Sequence, residues 1–257
     1  MTGPLTGRTA LVTGAGNGLG QAMTQHLVDA GARVIMVGRN LDKLVQARQE
    51  LGLTGDQCKL ASCDVSDSAS VDQLALTLKD ESVSILVNNA GIPGPVSDLV
   101  DIDPDDWDNV FATNVRGVYL ICRAFLPAMM KSRSGDIINI ASVSGKRPLV
   151  GRTPYCASKM AVIGLTTTLA AEAGPYDIRV NSLSPGPVRG PRMERNFRLE
   201  AERSGTSYNQ AEADFVSRAA LGRMVEEEEV GQALVGILQM RGLTAADIDL
   251  SAGMVAR

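Results

Sequence analysis

In TPYCASK, residues 153–159, a phenol (Tyr155) and an ammonium (Lys159) stand four residues apart. On a helix that spacing puts both on one face, a turn from each other. The chemistry it permits is proton transfer. A free tyrosine titrates at about pH 10, too high for efficient base work near neutrality. A cation one turn away favours the phenolate and lowers that value. Such a phenol takes the hydroxyl proton from an alcohol, or returns one to a carbonyl oxygen. The spacing alone also fits an ordinary helix surface, so the rest of the chain decides. Histidine is no competitor for this work. The single His26, in QAMTQHLVDAG, reads as a surface or partly buried helix imidazole. One histidine excludes an H-E-x-x-H zinc site, and His26 sits beside no nucleophile elbow that would make a Ser-His-Asp triad.

The elements that must position the pair begin with a glycine turn. TGAGNGLG (13–20) follows the strand-like run TALVT (9–13) and precedes a helical pattern over 21–30. Glycines there let backbone N–H groups approach a pyrophosphate at the helix N-terminus. The spacing is T-G-x-x-x-G-x-G through Thr13, Gly14, Gly18 and Gly20, not G-x-G-x-x-G. The second strand ends in Val37–Gly38–Arg39–Asn40, with no acid for a ribose 2′-hydroxyl and one guanidinium suited to a 2′-phosphate. NADP is therefore the cofactor predicted over NAD. Asp64, after the third strand, suits the adenine amino group, and NNAG (88–91), after the fourth, gives a close backbone approach beneath the ribose.

Apolar runs alternate with helical patterns along the whole chain. Strands are predicted at 9–13, 34–37, 59–63, 83–87, 136–142, 178–184 and 247–251. Helices are predicted at 21–30, 41–51, around 71–78, over 105–130 as one continuous element, at 154–173 and at 230–240. Continuous apolar strands between helices are the mark of a parallel sheet covered on both faces. No linker, repeat or low-complexity tract divides the chain, so residues 1–257 are predicted to form one doubly wound α/β domain. Two stretches stand apart: the arginine-rich segment 186–220, without strand signal, and Glu226–Glu229, whose carboxylates complement a helix N-terminus.

Composition bounds the function. With 44% hydrophobic residues and a net charge of −4, the chain offers a sizeable core and no general basic surface for nucleic acid or an anionic membrane. No apolar run approaches the ~18 residues of a membrane span, and Met1–Gly7 carries no signal pattern. Cys58, Cys63, Cys122 and Cys156 lack metal-site spacing and are too sparse for a disulfide scaffold. A cytoplasmic protein with reduced thiols and no bound metal is predicted.

Read in order, TGAGNGLG, CDV (63–65), NNAG, TNVRG (113–117), INIASVSG (138–145), YCASK and SPGPV (184–188) resemble the short-chain dehydrogenases/reductases, in their short single-domain branch. The resemblance runs from about residue 5 to 190. It implies a Rossmann-type sheet of seven parallel strands, NAD or NADP, and hydride transfer between nicotinamide and an alcohol or carbonyl. It also implies a catalytic set of Asn114, Ser142, Tyr155 and Lys159. Ser142 orients the substrate oxygen; Tyr155 handles the proton. Lys159 holds the nicotinamide ribose and leads to a water relay near Asn114. By the same resemblance the cofactor lies along Thr13, Gly14, Asn17, Gly18, Leu19, Gly20, Arg39, Asp64, Val65, Asn89, Ala90, Gly91, Tyr155, Lys159, Pro185, Gly186 and Val188.

The chain departs from the pattern in places. Asn17 stands where many NADP enzymes have a basic residue, RGPR follows PGPV without the usual threonine that contacts the carboxamide, and SAG (251–253) replaces D-G-G. The segment 186–220 corresponds to the family's substrate cover. Its Arg192, with Arg152 beside the tyrosine, offers contacts for an anionic substrate alongside Ser142. Against this, Arg189, Arg192, Arg195 and Arg198 could form a solvated surface paired with Glu194, Glu200 and Glu202. The resemblance further implies a homo-oligomer, a tetramer or dimer, through helices 105–130 and 154–173. A non-catalytic nucleotide-binding sensor or scaffold of the same fold is the competing function, and an epimerase or dehydratase a third.

Overall fold

A computed structural model describes residues 3–255, except the side chains of Arg192 and Arg203. Seven strands form one sheet in the order β3-β2-β1-β4-β5-β6-β7. They are β1 (Thr9–Thr13), β2 (Arg33–Gly38), β3 (Cys58–Ser62), β4 (Val83–Asn88), β5 (Gly135–Ile140), β6 (Ile178–Pro185) and β7 (Asp247–Leu250). Every pairing is parallel. The helices are α1 (Gly18–Asp29), α2 (Leu41–Glu50), α3 (Ser68–Thr77), α4 (Pro104–Phe111), α5 (Gly117–Ser132), α6 (Thr153–Ala173), α7 (Pro191–Ser204), α8 (Tyr208–Val216) and α9 (Glu227–Gln239).

Alternation along each strand divides the core into two layers, because successive side chains point to opposite faces. Leu11, Ile35, Val37, Leu86 and Ile137 join Ile121, Phe125 and Val162 on the face covered by α3, α5 and α6. Val12, Val34, Met36, Val87 and Ile138 join Met23, Leu27, Leu44, Val230 and Leu234 beneath α1, α2 and α9. Both faces are buried, which explains why the strands read as continuous apolar runs. His26 is half-buried on α1, its ring against α9, where a Cβ on Gly231 would lie 2.3 Å from Nδ1.

The strand order reverses at β1, whose neighbours are β2 and β4. In open α/β sheets ligands bind beyond the carboxyl ends of the strands at such a reversal. The glycine turn leaves β1 and NNAG leaves β4, so the crevice lies between them.

Helix starts fall about one turn earlier than the apolar periodicity predicts: Gly18 rather than Gln21, Ser68 rather than Val71, Glu227 rather than Val230. The first turns are polar or glycine-rich and carry no periodic signal. Strands β5 and β7 end at Ile140 and Leu250, before the predicted 142 and 251. The helix predicted over 105–130 runs unbroken from Pro104 to Ser132 as α4 and α5, with a π turn at Ala112–Arg116 between them. Segment 186–220 holds α7 and α8; only Val188 makes a bridge, to Val225.

Candidate active site

The cradle at the end of β1 is stitched to NNAG by side-chain bonds to backbone. Thr13 Oγ1 accepts from Asn89 N and Ala90 N, both at 3.0 Å. In return Asn89 Nδ2 donates to Thr13 O at 2.9 Å and Gly14 O at 3.2 Å. The glycines are needed for close approach. Gly14 has φ +65, and a Cβ there would lie 2.9 Å from Ala90 Cα; one on Gly20 would lie 2.2 Å from Gly14 O. Asn17 is the N-cap of α1, extended and exposed, and makes no cap bond. By contrast Asn40, Asp67, Asp103, Ser207 and Glu226 each accept a backbone N–H at the start of their helices. The first N–H groups of α1 thus keep their donors and their dipole for an anion, the chemistry a dinucleotide diphosphate needs. The residues present fit a dinucleotide.

Around the cradle, Leu19 packs partly on the α1/α9 core layer, and Val65 is buried where a Cβ on Gly117 would lie 2.8 Å from its Cγ2. Arg39 is exposed after β2, and its carbonyl accepts from Ser62 Oγ at 3.1 Å. Lys43, one turn into α2, was not singled out by sequence; its Cβ lies 3.5 Å from where a Cβ on Gly16 would stand, which adds a second exposed cation beside the glycine turn. Asp64 Oδ1 accepts from Ser66 N and Oγ at 3.0 and 2.7 Å. Burial opposes its ionisation, but the Ser66 bonds and the Arg39 charge outweigh that and hold the carboxyl below its ordinary value.

Across the crevice, Lys159 is 5% exposed, and its Nζ donates to Ile140 O at 2.7 Å, tying α6 to the end of β5. The same Nζ lies 5.8 Å from the centroid of the half-buried Tyr155 ring. The one-turn spacing in TPYCASK is therefore a real proximity. Asn114 is buried in the π turn between α4 and α5. Its amide closes on Ile92 in both directions, Oδ1 accepting from the N–H at 2.8 Å and Nδ2 donating to the carbonyl at 3.0 Å. Nδ2 also donates to Ser158 Oγ at 3.0 Å, inside the YCASK turn, and Ser158 in turn donates to Tyr155 O at 2.7 Å. A Cβ on Gly91 would lie 3.1 Å from Asn114 Oδ1 and 3.6 Å from Lys159 Nζ, so NNAG reaches the same place. π turns recur where a helix must present one side chain out of phase.

Ser142 follows β5, is buried, and its Oγ accepts from Ser144 N at 3.1 Å. The turn after it packs on α6: a Cβ on Gly145 would lie 2.9 Å from Met160 N and 3.0 Å from Lys159 C. Lys146, which sequence reasoning missed, anchors this turn from beneath. Its buried Nζ bonds both Asp247 and Asp249 of β7, and Asp247 also accepts from Ser182 and Ser184 hydroxyls at 2.8 and 2.7 Å.

The remaining residues flank the crevice. Pro185 ends β6. A Cβ on Gly186 would lie 2.8 Å from Ser251 Cα, so the SAG sequence sits directly against this loop, and Val188 bridges Val225. Arg152 Nη1 reaches the carbonyls of Pro93 and Gly94, both at 3.4 Å. The Arg192 side chain lies outside the described residues. Arg189 pairs with Glu212 and Glu226, not with the predicted Glu194, Glu200 or Glu202. Local spacing misled here because both partners come from later elements. Cys156 is half-buried beside Leu149 and Val150, and all four cysteines are free thiols; burial pushes the Cys156 thiol up. Among the described residues there is no group that could hold a metal ion, and no helix long and apolar enough to cross a membrane.

The comparisons agree with this architecture. The family model described as short chain dehydrogenase matches residues 8–202. Oxidoreductase UcpA of Salmonella typhimurium is 37% identical over 195 residues, covering 75% of this chain and 73% of that protein. The 3-oxoacyl-[acyl-carrier-protein] reductase FabG of Thermotoga maritima is 35% identical over 236 residues, 90% of both chains. Among solved structures, an actinorhodin polyketide ketoreductase variant with NADPH superposes with a TM-score of 0.91 at 30% identity, covering 99% of each chain. This chain is a member of the short-chain dehydrogenase family, an oxidoreductase family.

Proposed function

We propose that this protein is an NAD(P)-dependent oxidoreductase that interconverts an alcohol and a carbonyl, with Tyr155 as the acid–base group. The observation that carries the reading is the buried Lys159 ammonium, 5% exposed and 5.8 Å from the Tyr155 ring centroid. A cation held there favours the phenolate, which lets Tyr155 exchange a proton with the substrate oxygen near neutral pH. When bound, the nicotinamide supplies or accepts the hydride, so no metal or covalent nucleophile is required. Ser142 orients the substrate oxygen through its hydroxyl, and its partner Ser144 N fixes the rotamer. Asn114, pinned to Ile92, holds the YCASK turn and a proton path behind Lys159.

The cradle of Thr13, Gly14, Asn17, Gly18, Leu19 and Gly20 takes the diphosphate, Asp64 and Val65 the adenine, and Asn89, Ala90 and Gly91 the ribose beneath the nicotinamide. Pro185, Gly186 and Val188 face the carboxamide. Arg39 favours NADPH over NADH, and Lys43 supports it. Names among the relatives point to ketones as the first substrates to try: FabG is a 3-oxoacyl reductase, and a ketoreductase is among the similar structures. Residues 186–220 cover the substrate, with Arg152 and Arg192 at its rim. Exposed Tyr119 on α5 and Met160 on α6 support self-association through these helices in a cytoplasmic homo-oligomer.

The test is a panel of ketones and alcohols followed by nicotinamide absorbance with both cofactors. Turnover is expected, faster with NADPH, and Tyr155→Phe lowers kcat about a thousandfold without loss of dinucleotide binding. Tight NADPH binding without turnover of any substrate would favour the sensor reading instead, and a strong NADH preference would remove the role given to Arg39.

A further inference from the structure

The walls of the cradle are glycines, and one carboxyl lies between two of them. Glu227, the first residue of α9, places Oε1 3.5 Å from where a Cβ on Gly18 would stand and 3.4 Å from one on Gly190. Gly18 opens α1 at the anion-ready N-terminus. Gly190 belongs to RGPR, where the family's usual threonine is missing. Glu227 is half-buried and has no hydrogen-bond or ion-pair partner among the described residues. Its neighbours differ: Glu226 is held by Arg189, and Glu229 by Arg223.

We propose that Glu227 makes dinucleotide binding proton-linked: its ionised carboxylate opposes the diphosphate at the glycine turn, so the dinucleotide binds best when Glu227 is protonated. This rests on the reading of that turn as the diphosphate cradle. The direction follows from charge. Two anions approaching across a half-buried space repel, and a bound diphosphate makes protonation of the nearer carboxyl easier. Burial, and then the charge of Glu226, already raise the Glu227 carboxyl above its ordinary value.

Among the described side chains, the other charged groups facing this space do not neutralise it. Glu226 and Glu228 on α9 add negative charge, and the Arg189 guanidinium before α7 is divided between Glu212 and Glu226. Lys43 lies on the far side of the turn, near Gly16. On α1 the titratable His26 meets α9 a turn further on, at Gly231.

The experiment is a fluorescence titration of NADPH into wild type, Glu227→Gln and Glu227→Ala from about pH 5, close to the ordinary glutamate value, to about pH 8. At the alkaline end both variants are expected to bind about tenfold more tightly than wild type, and the gap narrows toward the acid end. Glu228→Gln, which removes an exposed charge, changes affinity less than about twofold. Calorimetry in buffers of different ionisation enthalpy is expected to show proton uptake on binding that the Glu227 variants lack. Equal affinities at alkaline pH, or an undiminished pH dependence in the variants, overturn the proposal alone. Weaker binding by both variants also overturns it, because the carboxylate would then be accepting a bond from the dinucleotide. If no protein binds either dinucleotide, the diphosphate reading of the glycine turn falls and this proposal falls with it.

Discussion

The glycine cradle and the segment between β6 and α9 border the same crevice but are held by different chemistry. At the cradle, Thr13 and Asn89 bond backbone atoms in both directions, and glycines bring main chains into contact. Between β6 and α9, helices α7 and α8 rest on the aromatic group of Phe197, Tyr208 and Phe215 and on the half-exposed Arg189, paired with Glu212 and Glu226. Buried hydrogen bonds are costly to leave unmade, whereas exposed ion pairs stabilise by no more than about 1 kcal/mol. One wall is therefore held by bonds between backbone segments, and the other by an aromatic cluster and screened ion pairs.

The cradle should break first and hardest. A Cβ on Gly20 meets Gly14 O at 2.2 Å and Ala15 Cα at 2.8 Å, both backbone atoms that cannot swing away. Gly20→Ala is expected to distort the turn at a cost of about 3 kcal/mol, which weakens NADPH binding about a hundredfold. A fluorescence titration measures it, with circular dichroism to confirm that the fold is kept. Wild-type affinity in this variant would remove the claim that the cradle is rigid.

The same contrast explains what sequence could and could not read. Strands buried on both faces betray themselves as apolar runs, and glycines forced by close approach stand out by position. Asn114, Tyr155 and Lys159 were legible because local motifs carry them, and they meet around one crevice. The π turn was not, since apolar residues continue on either side and conceal the change of hydrogen-bond pattern between Phe111 and Gly117. Nor were partners from distant elements. Arg189, grouped by spacing with the carboxylates of its own segment, pairs with Glu212 and Glu226, and Lys146 pairs with Asp247 and Asp249, about a hundred residues away. Periodicity speaks for contacts within an element and is silent about ion pairs between them.

Lys146 asks whether burial, rather than charge pairing, makes a region firm. Its side chain is 3% exposed and bonds two β7 carboxylates beneath the turn that carries Ser142. Lys146→Met leaves those carboxylates uncompensated and is expected to cost about 3 kcal/mol, read as a lower urea midpoint. Neutralising the pair as well, with Asp247→Asn and Asp249→Asn, should recover part of the loss. A cost below about 1 kcal/mol would class this cluster with the exposed pairs.

Glu229 tests an exposed pair through pH. The Arg223 guanidinium, aided by the Glu226 backbone N–H, pulls its carboxyl down to about 2, below the unfolded value of about 4.3. The ionised group therefore stabilises the fold fully above the unfolded value, and that contribution disappears as pH falls toward about 2. Glu229→Gln keeps an acceptor for the helix cap but loses the ion pair. It is expected to lower stability by about 0.5 to 1 kcal/mol at neutral pH and progressively less on acidification, followed by denaturant melts across that range.

The smallest effect on stability should come from Arg189, and it is the most informative about motion. Its guanidinium links the loop before α7 to α8 and to the cap of α9, at about half exposure. Losing both pairs is expected to cost no more than about 1 kcal/mol globally, because water screens each charge. The local effect should be larger in proportion, since these pairs oppose opening of α7 and α8 alone. In Arg189→Ala, hydrogen exchange is expected to quicken in 191–216 while β1 and β4 stay protected, and KM for the substrate to rise more than kcat falls. Faster exchange in β1 as well would mean that the two walls open together, and the contrast between them would be wrong.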